Sequence, residues 1–253
     1  MLVIKNEKEL EKMRRAGRVH AQLMEELKKN VTPGVKTIEL DKIAENYIKA
    51  NGGYPSFKGY KVAGLPAFPG SICASVNNEV IHGIPGNTVL KEGDIISIDI
   101  GVYLDGYHAD GARTFAVGNI SPLAKKLIDV TRESFYKGIE NAVHGNWLRD
   151  VSTAIQNHVE ENGFSIVRDF VGHGIGEQMH EEPQIPNYRT KKRGPRLETG
   201  MTLAIEPMVN EGTNKVDSDN STWRVVTSDG KLSAHYENTI VITENEPEIF
   251  TIL

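Results

Sequence analysis

Apolar residues recur at helical spacing over residues 5–30, where Leu10, Met13, Ala16, Gly17, Ala21, Met24 and Leu27 share one face. Thr32-Pro33-Gly34 breaks the pattern. A second helix is predicted over 38–50, stopped by Asn51-Gly52-Gly53. Residues 54–71 are rich in Gly, Pro and aromatic side chains and read as a loop. β-type patterning follows over 72–76, 80–81, 95–103 and 112–117. Then the plan restarts, with helices predicted over 123–143 and 148–161, a break at His144-Gly145 and a stop at Asn162-Gly163. A shift of 111 positions lays Gly34 on Gly145, Leu40 on Val151, Ile48 on Val159, and Asn51-Gly52 on Asn162-Gly163. A duplicated α/β half with pseudo-twofold symmetry accounts for this order, the repeats spanning roughly 5–118 and 121–245. No Ser/Pro-rich linker divides them, so one fused domain over 1–253 is expected.

Several acidic side chains interrupt this apolar pattern, and an uncompensated charge in a buried strand is costly. In DIISIDIGVYLDG, Ile96, Ile98 and Ile100 point to one side of a strand while Ser97, Asp99 and Gly101 point to the other. The returning strand carries Asp110. A turn centred on Leu104-Asp105 sets Asp110 directly opposite Asp99. A turn centred on Asp105-Gly106 sets it opposite Gly101, one step along the same face. Either register brings the two carboxylates within diagonal reach. They repel there unless one is protonated or a cation lies between them. A single aspartate at a strand end is ordinarily a turn residue; the matched pair on a Ser/Gly-lined face points instead to a site.

Downstream, Gly172-His173-Gly174-Ile175-Gly176 ends an apolar run, and His180 follows within His180-Glu181-Glu182-Pro183. The spacing matches neither the dinucleotide fingerprint nor a phosphate loop. Glycines there let the backbone pack closely while His173 projects. Glu206 closes the run 201–205, and Glu237 stands just ahead of 239–242. Either glutamate alone is as readily a satisfied structural group. Asp99, Asp110, His173, Glu206 and Glu237 together make four carboxylates and one imidazole. That set suits Mn²⁺, Fe²⁺, Co²⁺ or Zn²⁺ and differs from thiolate-rich structural zinc sites. Two ions bridged by carboxylates generate hydroxide near neutral pH, which is hydrolytic chemistry.

The bulk numbers agree with an ordinary globule: 39% hydrophobic and 25% charged residues. A net charge of −5 gives no electrostatic reason to expect sequence-specific nucleic acid binding. The basic cluster RTKKRGPR at 189–196 reads first as a solvated loop, with transient ribosome or RNA contact as the weaker reading. One cysteine, Cys73, excludes an internal disulfide. No signal-peptide core or membrane-length apolar run is present, so a cytoplasmic protein is expected, and nothing in the sequence demands more than a monomer.

On the strings GHGIGEQMHEEPQIPNY, DIGVYLDGYHADGARTF, IEPM and the stretch from Trp223 to Glu237, the chain resembles the type I methionine aminopeptidases of the short bacterial form. The resemblance covers essentially the whole chain. It implies an α/β pita-bread fold, a pseudo-symmetric domain with a central antiparallel sheet covered by helices. It implies two divalent ions, with Co, Mn, Fe, Zn and Ni all acceptable. Asp99 would chelate one, His173 and Glu206 the other, with Asp110 and Glu237 bridging. The bridging hydroxide would attack the first peptide bond of N-terminal methionyl peptides and nascent chains whose second residue is small. Glu206 would manage its proton, His180 would stabilise the oxyanion, and His82 would assist near the scissile amide. Phe68, Cys73, His82, Met179, His180 and Trp223 would form the substrate pocket. Phe68 and Met179 stand where relatives often carry Tyr and Phe, and the stretch 60–67 is longer than in bacterial relatives. Val62 and Leu65 stand where cysteine or tyrosine is common. His173 and Glu206 are too close in sequence for the type II insertion.

Two other readings remain open on sequence. Prolidases and X-Pro aminopeptidases share the ligands but normally carry a large additional N-terminal domain, and Met-Ala against Ala-Pro cleavage separates them. Non-catalytic pita-bread modules have lost ligands that this chain keeps. The chain's own start supplies an expectation: Met1 precedes the bulky Leu2 and should be retained, as mass spectrometry of the mature protein would read.

Overall fold

The first helix, α1 (Glu7–Asn30), starts at Asn6, whose side-chain oxygen accepts from the N–H groups of Lys8 and Glu9 while Glu9 accepts from the Asn6 N–H. The structure is a computed structural model that describes residues 2–218 and 222–253; Met1 lies outside them. Helix α2 (Thr37–Ala50) follows, then strands β1 (Tyr54–Pro55), β2 (Ile72–Val76), β3 (Glu79–Ile81), β4 (Ile95–Leu104) and β5 (Tyr107–Ala116). Helices α3 (Pro122–Ile139) and α4 (Leu148–Glu161) come next. They lead into β6 (Ser165–Ile166), β7 (Gly172–Gly174), β8 (Glu181–Ile185), β9 (Thr202–Ile205) and β10 (Met208–Asn210). The described chain ends with β11 (Val216–Ser218), β12 (Val225–Thr227), β13 (Ser233–His235), β14 (Asn238–Val241) and β15 (Glu248–Ile249).

Helices α2 and α4 are built alike. Each has 14 residues, and their first residues are 111 positions apart. Each is preceded by a glycine in the left-handed region, Gly34 at φ 94° and Gly145 at φ 86°. In each, an acid at the third position accepts from the N–H just before the helix: Glu39 from Lys36, and Asp150 from Trp147. Helix α3 ends four residues before its periodicity predicts. The N–H groups of Asn141 and Ala142 bond back to Gly138 and Ile139, a tight turn that swings the chain toward α4. Gly138 lets α4 approach, since a Cβ there would meet Ile155.

All strand pairs are antiparallel, and they divide into four sheets among the described residues. β4 pairs along one edge with β5 and along the other with β2 and β1; a second sheet runs β15-β14-β9-β7-β8. The two smaller sheets are β13-β10-β6 and β11-β12-β3. One core packs α1 and α2 on β2, β4 and β5, including Leu23, Leu40, Ile72, Ile98 and Ile100. Another packs α3 and α4 on β9, β10, β13 and β14, including Phe135, Ile155, Leu203 and Ile240. The segment 54–71, expected as loop, contributes the two-residue β1 and a short ladder in which Gly59 and Phe68 donate to Phe68 and Tyr60.

Between these cores β5 is stitched to the chain around β13 and β14. Asp110 N–H donates to Thr239 Oγ1 and the Thr239 hydroxyl donates to the Asp110 carbonyl, both at 2.9 Å. Glu237 N–H donates to Ala112 O and Ala112 N–H to Glu237 O. His235 N–H donates to Thr114 Oγ1 and the Thr114 hydroxyl donates to His235 O. This seam sets residues 110 and 237 side by side.

The turn of the β4–β5 hairpin decides its register. Asp105 at φ 53° and Gly106 at φ 90° form a two-residue turn that pairs Leu104 with Tyr107 and Gly101 with Asp110. Of the two registers the sequence allows, this is the one centred on Asp105-Gly106. Gly106→Val should cost about 1–2 kcal/mol because a β-branched residue resists that backbone; urea unfolding would show it as a lower midpoint.

Candidate active site

Five elements deliver the candidate ligands. β4 presents Asp99 opposite Cys73 of β2, and β5 presents Asp110 one diagonal step away. His173 sits in β7 between Gly172 and Gly174, where any Cβ would overlap the carbonyls of Ala204 and Glu182. Those glycines let β7 lie close enough to β9 and β8 for the imidazole to reach inward. Glu206 follows the last residue of β9, and Glu237 lies between β13 and β14. Asp110 and Glu237 are buried, at 3% and 2% exposure, while Asp99 and Glu206 are half-buried. All eleven residues singled out by sequence line a single cavity of about 530 Å³: the five above with Phe68, Cys73, His82, Met179, His180 and Trp223.

Charge in this cavity is far from balanced. Burial pushes the Asp99 carboxyl up to about 7. Asp110, Glu206 and Glu237 are raised well above the ordinary carboxylate range, first by burial and then by one another. Arg113 is the cation behind them; it donates to the carbonyls of Ala112 and Glu237 and to Asn238 Oδ1, with its guanidinium 4.2 Å from the Tyr236 ring. Its donors go to carbonyls and an amide oxygen, and none to a carboxylate of the cavity.

The donor set fits divalent cations. Asp99 Oδ1 and Glu237 Oε1 are buried with no hydrogen-bond partner. His173 Nδ1 lies 2.8 Å from the Gly174 carbonyl, which only accepts, so Nδ1 carries the proton. The lone pair on Nε2 therefore faces Asp110 Oδ2 at 3.8 Å and Glu206 Oε1 at 3.7 Å. A lone pair aimed at two carboxylates is unfavourable unless a cation stands between them. Burial also holds His173 neutral, its pKa down to about 3. Orphaned oxygens, a neutral imidazole and a backbone-fixed tautomer are what a metal ligand set requires.

Around this centre lies an apolar pocket. Phe68, Cys73 and Trp223 form a buried cluster, with Phe57, Tyr60 and Leu65 packed on it. The Phe68 and Trp223 rings meet edge to face at 5.5 Å, and Trp223 Nε1 donates to Pro66 O at 2.8 Å. Met179 is buried beside them, while Val62 stands 46% exposed at the rim. Burial and the nearby carboxylates hold the Cys73 thiol well above its ordinary pKa, so it stays protonated and is no thiolate ligand. His82 has φ 58°, a strained conformation for a non-glycine, and burial lowers its pKa to about 4. His180 stands at the mouth with its ring 4.3 Å from that of His173.

Two side chains here escaped the sequence reading. His235 is buried, with Nε2 3.7 Å from Glu206 Oε2 and 3.8 Å from Glu237 Oε2. Together with Asp99 and Glu237 it could also hold an ion. The available signal was period two: residues 235 and 237 share a face. Tyr60 reaches in from the loop, and its hydroxyl lies 2.8 Å from His180 Nδ1. Its ring lies 6.4 Å from that of Trp223, and Leu65 packs on the same aromatic cluster.

The model of metallopeptidase family M24 matches residues 11–244. A methionine aminopeptidase of Clostridium perfringens is 56% identical over the full length of both chains. The crystal structure of the methionine aminopeptidase of Thermotoga maritima superposes with a TM-score of 0.95 at 44% identity, each chain fully covered. The prolidase of Pyrococcus furiosus shares the fold, with a TM-score of 0.76 at 20% identity, but this chain covers 66% of it. These likenesses establish the pita-bread α/β architecture, and the near-identical length and high identity separate the chain from the longer prolidases. The chain belongs to metallopeptidase family M24 and, within it, to the methionine aminopeptidases.

Proposed function

We propose that the protein removes the N-terminal methionine from peptides and nascent chains with a small second residue, using a paired-metal site. The observation that carries this reading is the gathering of four buried or half-buried carboxyls beside a tautomer-fixed histidine whose lone pair faces Asp110 and Glu206. Asp99, Asp110, His173, Glu206 and Glu237 would hold the ions, Asp99 serving one of them, His173 and Glu206 the other, and Asp110 and Glu237 both. When bound, the ions supply an activated water and a Lewis acid for the carbonyl. Glu206 takes and returns the proton of the attacking water. His180 donates to the oxyanion at the cavity mouth, and His82 holds the scissile amide. Phe68, Cys73, Met179 and Trp223 exclude water around an unbranched thioether, for which a soft apolar wall is well suited. No helix among the described residues is long and apolar enough to cross a membrane. We place the protein in the cytoplasm as a monomer, with 189–196 as the surface a transient ribosome contact would use. Its matched helices α2 and α4 support one domain over 1–253, built from the duplicated halves 5–118 and 121–245.

Three outcomes follow. The metal-stripped protein should leave a Met-Ala-Ser peptide intact and recover cleavage with at least one of Co, Mn, Fe, Zn or Ni, while Ala-Pro stays uncut; silence with every ion would sink the reading. Asp110→Asn and Glu237→Gln should each abolish binding of the ion pair by calorimetry with an unchanged circular dichroism spectrum.

The third outcome concerns pH. The carboxyl pKa values are raised in the fold, so their contribution to metal-free stability is full below the unfolded value. It is lost as pH rises through the folded value, about 7 for Asp99. His173 is depressed and acts oppositely, its contribution being lost as pH falls below its ordinary 6.5. Ions must displace the protons held by the raised acids, so metal affinity should climb between about pH 6 and 8, by roughly tenfold per pH unit for each proton released. Calorimetry in buffers of different ionisation enthalpy would detect those protons, and a pH-independent affinity would contradict the assignment.

A further inference from the structure

The rings of His173 and His180 meet edge to face with centroids 4.3 Å apart, yet the chemistry assigned above requires opposite things of their Nε2 atoms. His173 must present a lone pair, and its Nδ1–H, committed to Gly174 O, ensures that it does. His180 must present an N–H. An imidazole whose Nδ1 accepts a hydrogen bond keeps its ring proton on Nε2, so the partner of Nδ1 decides the matter. The group at its Nδ1 is the Tyr60 hydroxyl, at 2.8 Å.

We propose that Tyr60 is a positioning residue for His180: its O–H donates to Nδ1 and thereby holds the Nε2–H tautomer turned toward the scissile carbonyl. This rests on the aminopeptidase reading and extends it to a residue of the loop. The hydroxyl differs from the Gly174 carbonyl in the one respect that matters, since it can donate. The two histidines thus carry opposite tautomers in this assignment, since the Tyr60 hydroxyl can donate to Nδ1 where the Gly174 carbonyl can only accept.

Tyr60 is itself held in place. Its carbonyl accepts from Phe68 N–H at 2.9 Å and its N–H donates to Phe57 O at 2.9 Å. Its ring lies 6.4 Å from Trp223, whose indole is tied to Pro66 O across the same loop. The longer stretch 60–67 is therefore closed at its base by Tyr60 and Phe68 and pinned near its end by Trp223. It connects the wall of the methionine pocket to the orientation of His180. Burial raises the pKa of the Tyr60 phenol, which keeps its proton available as a donor.

The test is a cycle of Tyr60→Phe, His180→Ala and the double variant, assayed on Met-Ala-Ser with saturating metal. Tyr60→Phe should lower kcat roughly 10- to 100-fold and leave KM, metal binding and thermal midpoint near wild type. In the His180→Ala background it should cause no further loss. A loss that multiplies in the double variant, a shift confined to KM, or unchanged kcat would overturn the proposal. An independent reading comes from the ¹⁵N shifts of the His180 ring: wild type should show protonated Nε2 and bare Nδ1, and Tyr60→Phe should show a tautomer mixture. A wild-type Nδ1–H would also overturn it. These shifts do not depend on turnover, so failure of wild-type cleavage would count against the aminopeptidase reading and leave the tautomer result to judge Tyr60 separately.

Discussion

Repulsion among Asp99, Asp110, Glu206 and Glu237 is the constraint around which the rest of the molecule is arranged. Each is raised in pKa by burial, and three of them further by the other acids. Left to itself, such a cluster holds protons or drifts apart. The fold permits neither drift nor easy relaxation, because every member is anchored through backbone. Asp110 is locked to Thr239 by a reciprocal pair of hydrogen bonds, and Glu237 is paired with Ala112. Arg113 reinforces that junction through carbonyls and an amide rather than through carboxylates. The protein thus holds four acids at a fixed geometry that favours their protonated forms, and divalent ions that displace those protons are the natural complement.

The neutral groups of the cavity serve the same end. Histidines 82, 173 and 235 are all pushed below their ordinary pKa by burial, so they do not neutralise the acids by becoming cations. Cys73 stays a thiol although it faces Asp99 across the β2–β4 ladder. Cationic charge in the cavity is left to be supplied from outside. The apolar cluster around Trp223 lies against this charged floor, so a substrate side chain meets an oily wall while its backbone meets oxygen and nitrogen donors.

Much of this was legible in the chain. The acidic residues that line the cavity stood out because charge within apolar strands has few physical excuses, and β2, α4 and the ends of the β4–β5 hairpin fell where periodicity put them. The sequence left two hairpin registers open; the positive φ of Asp105 and Gly106 selects one. His235 was hidden in SAHYEN, where its neighbour Glu237 drew the attention that their shared face should have divided. Tyr60 was hidden for a deeper reason. It lies in a loop whose path depends on Trp223, more than 150 residues away, and no local pattern encodes such a contact. The early end of α3 likewise reflects a tertiary need to turn toward α4.

The seam between β5 and the chain around β13 and β14 also dictates an order of events during synthesis. Asp99 and Asp110 leave the ribosome while their partners are still untranslated, and Glu237 is among the last residues of the described chain to emerge. A growing chain can finish the first helical pair and its hairpin, yet it lacks the strand that brings Glu237 beside Asp110. Loop closure over that span is a late and slow step. Until it happens, the hairpin carries its two aspartates without Glu206 and Glu237 beside them. The full cluster of acids is therefore assembled only after Glu237 has emerged.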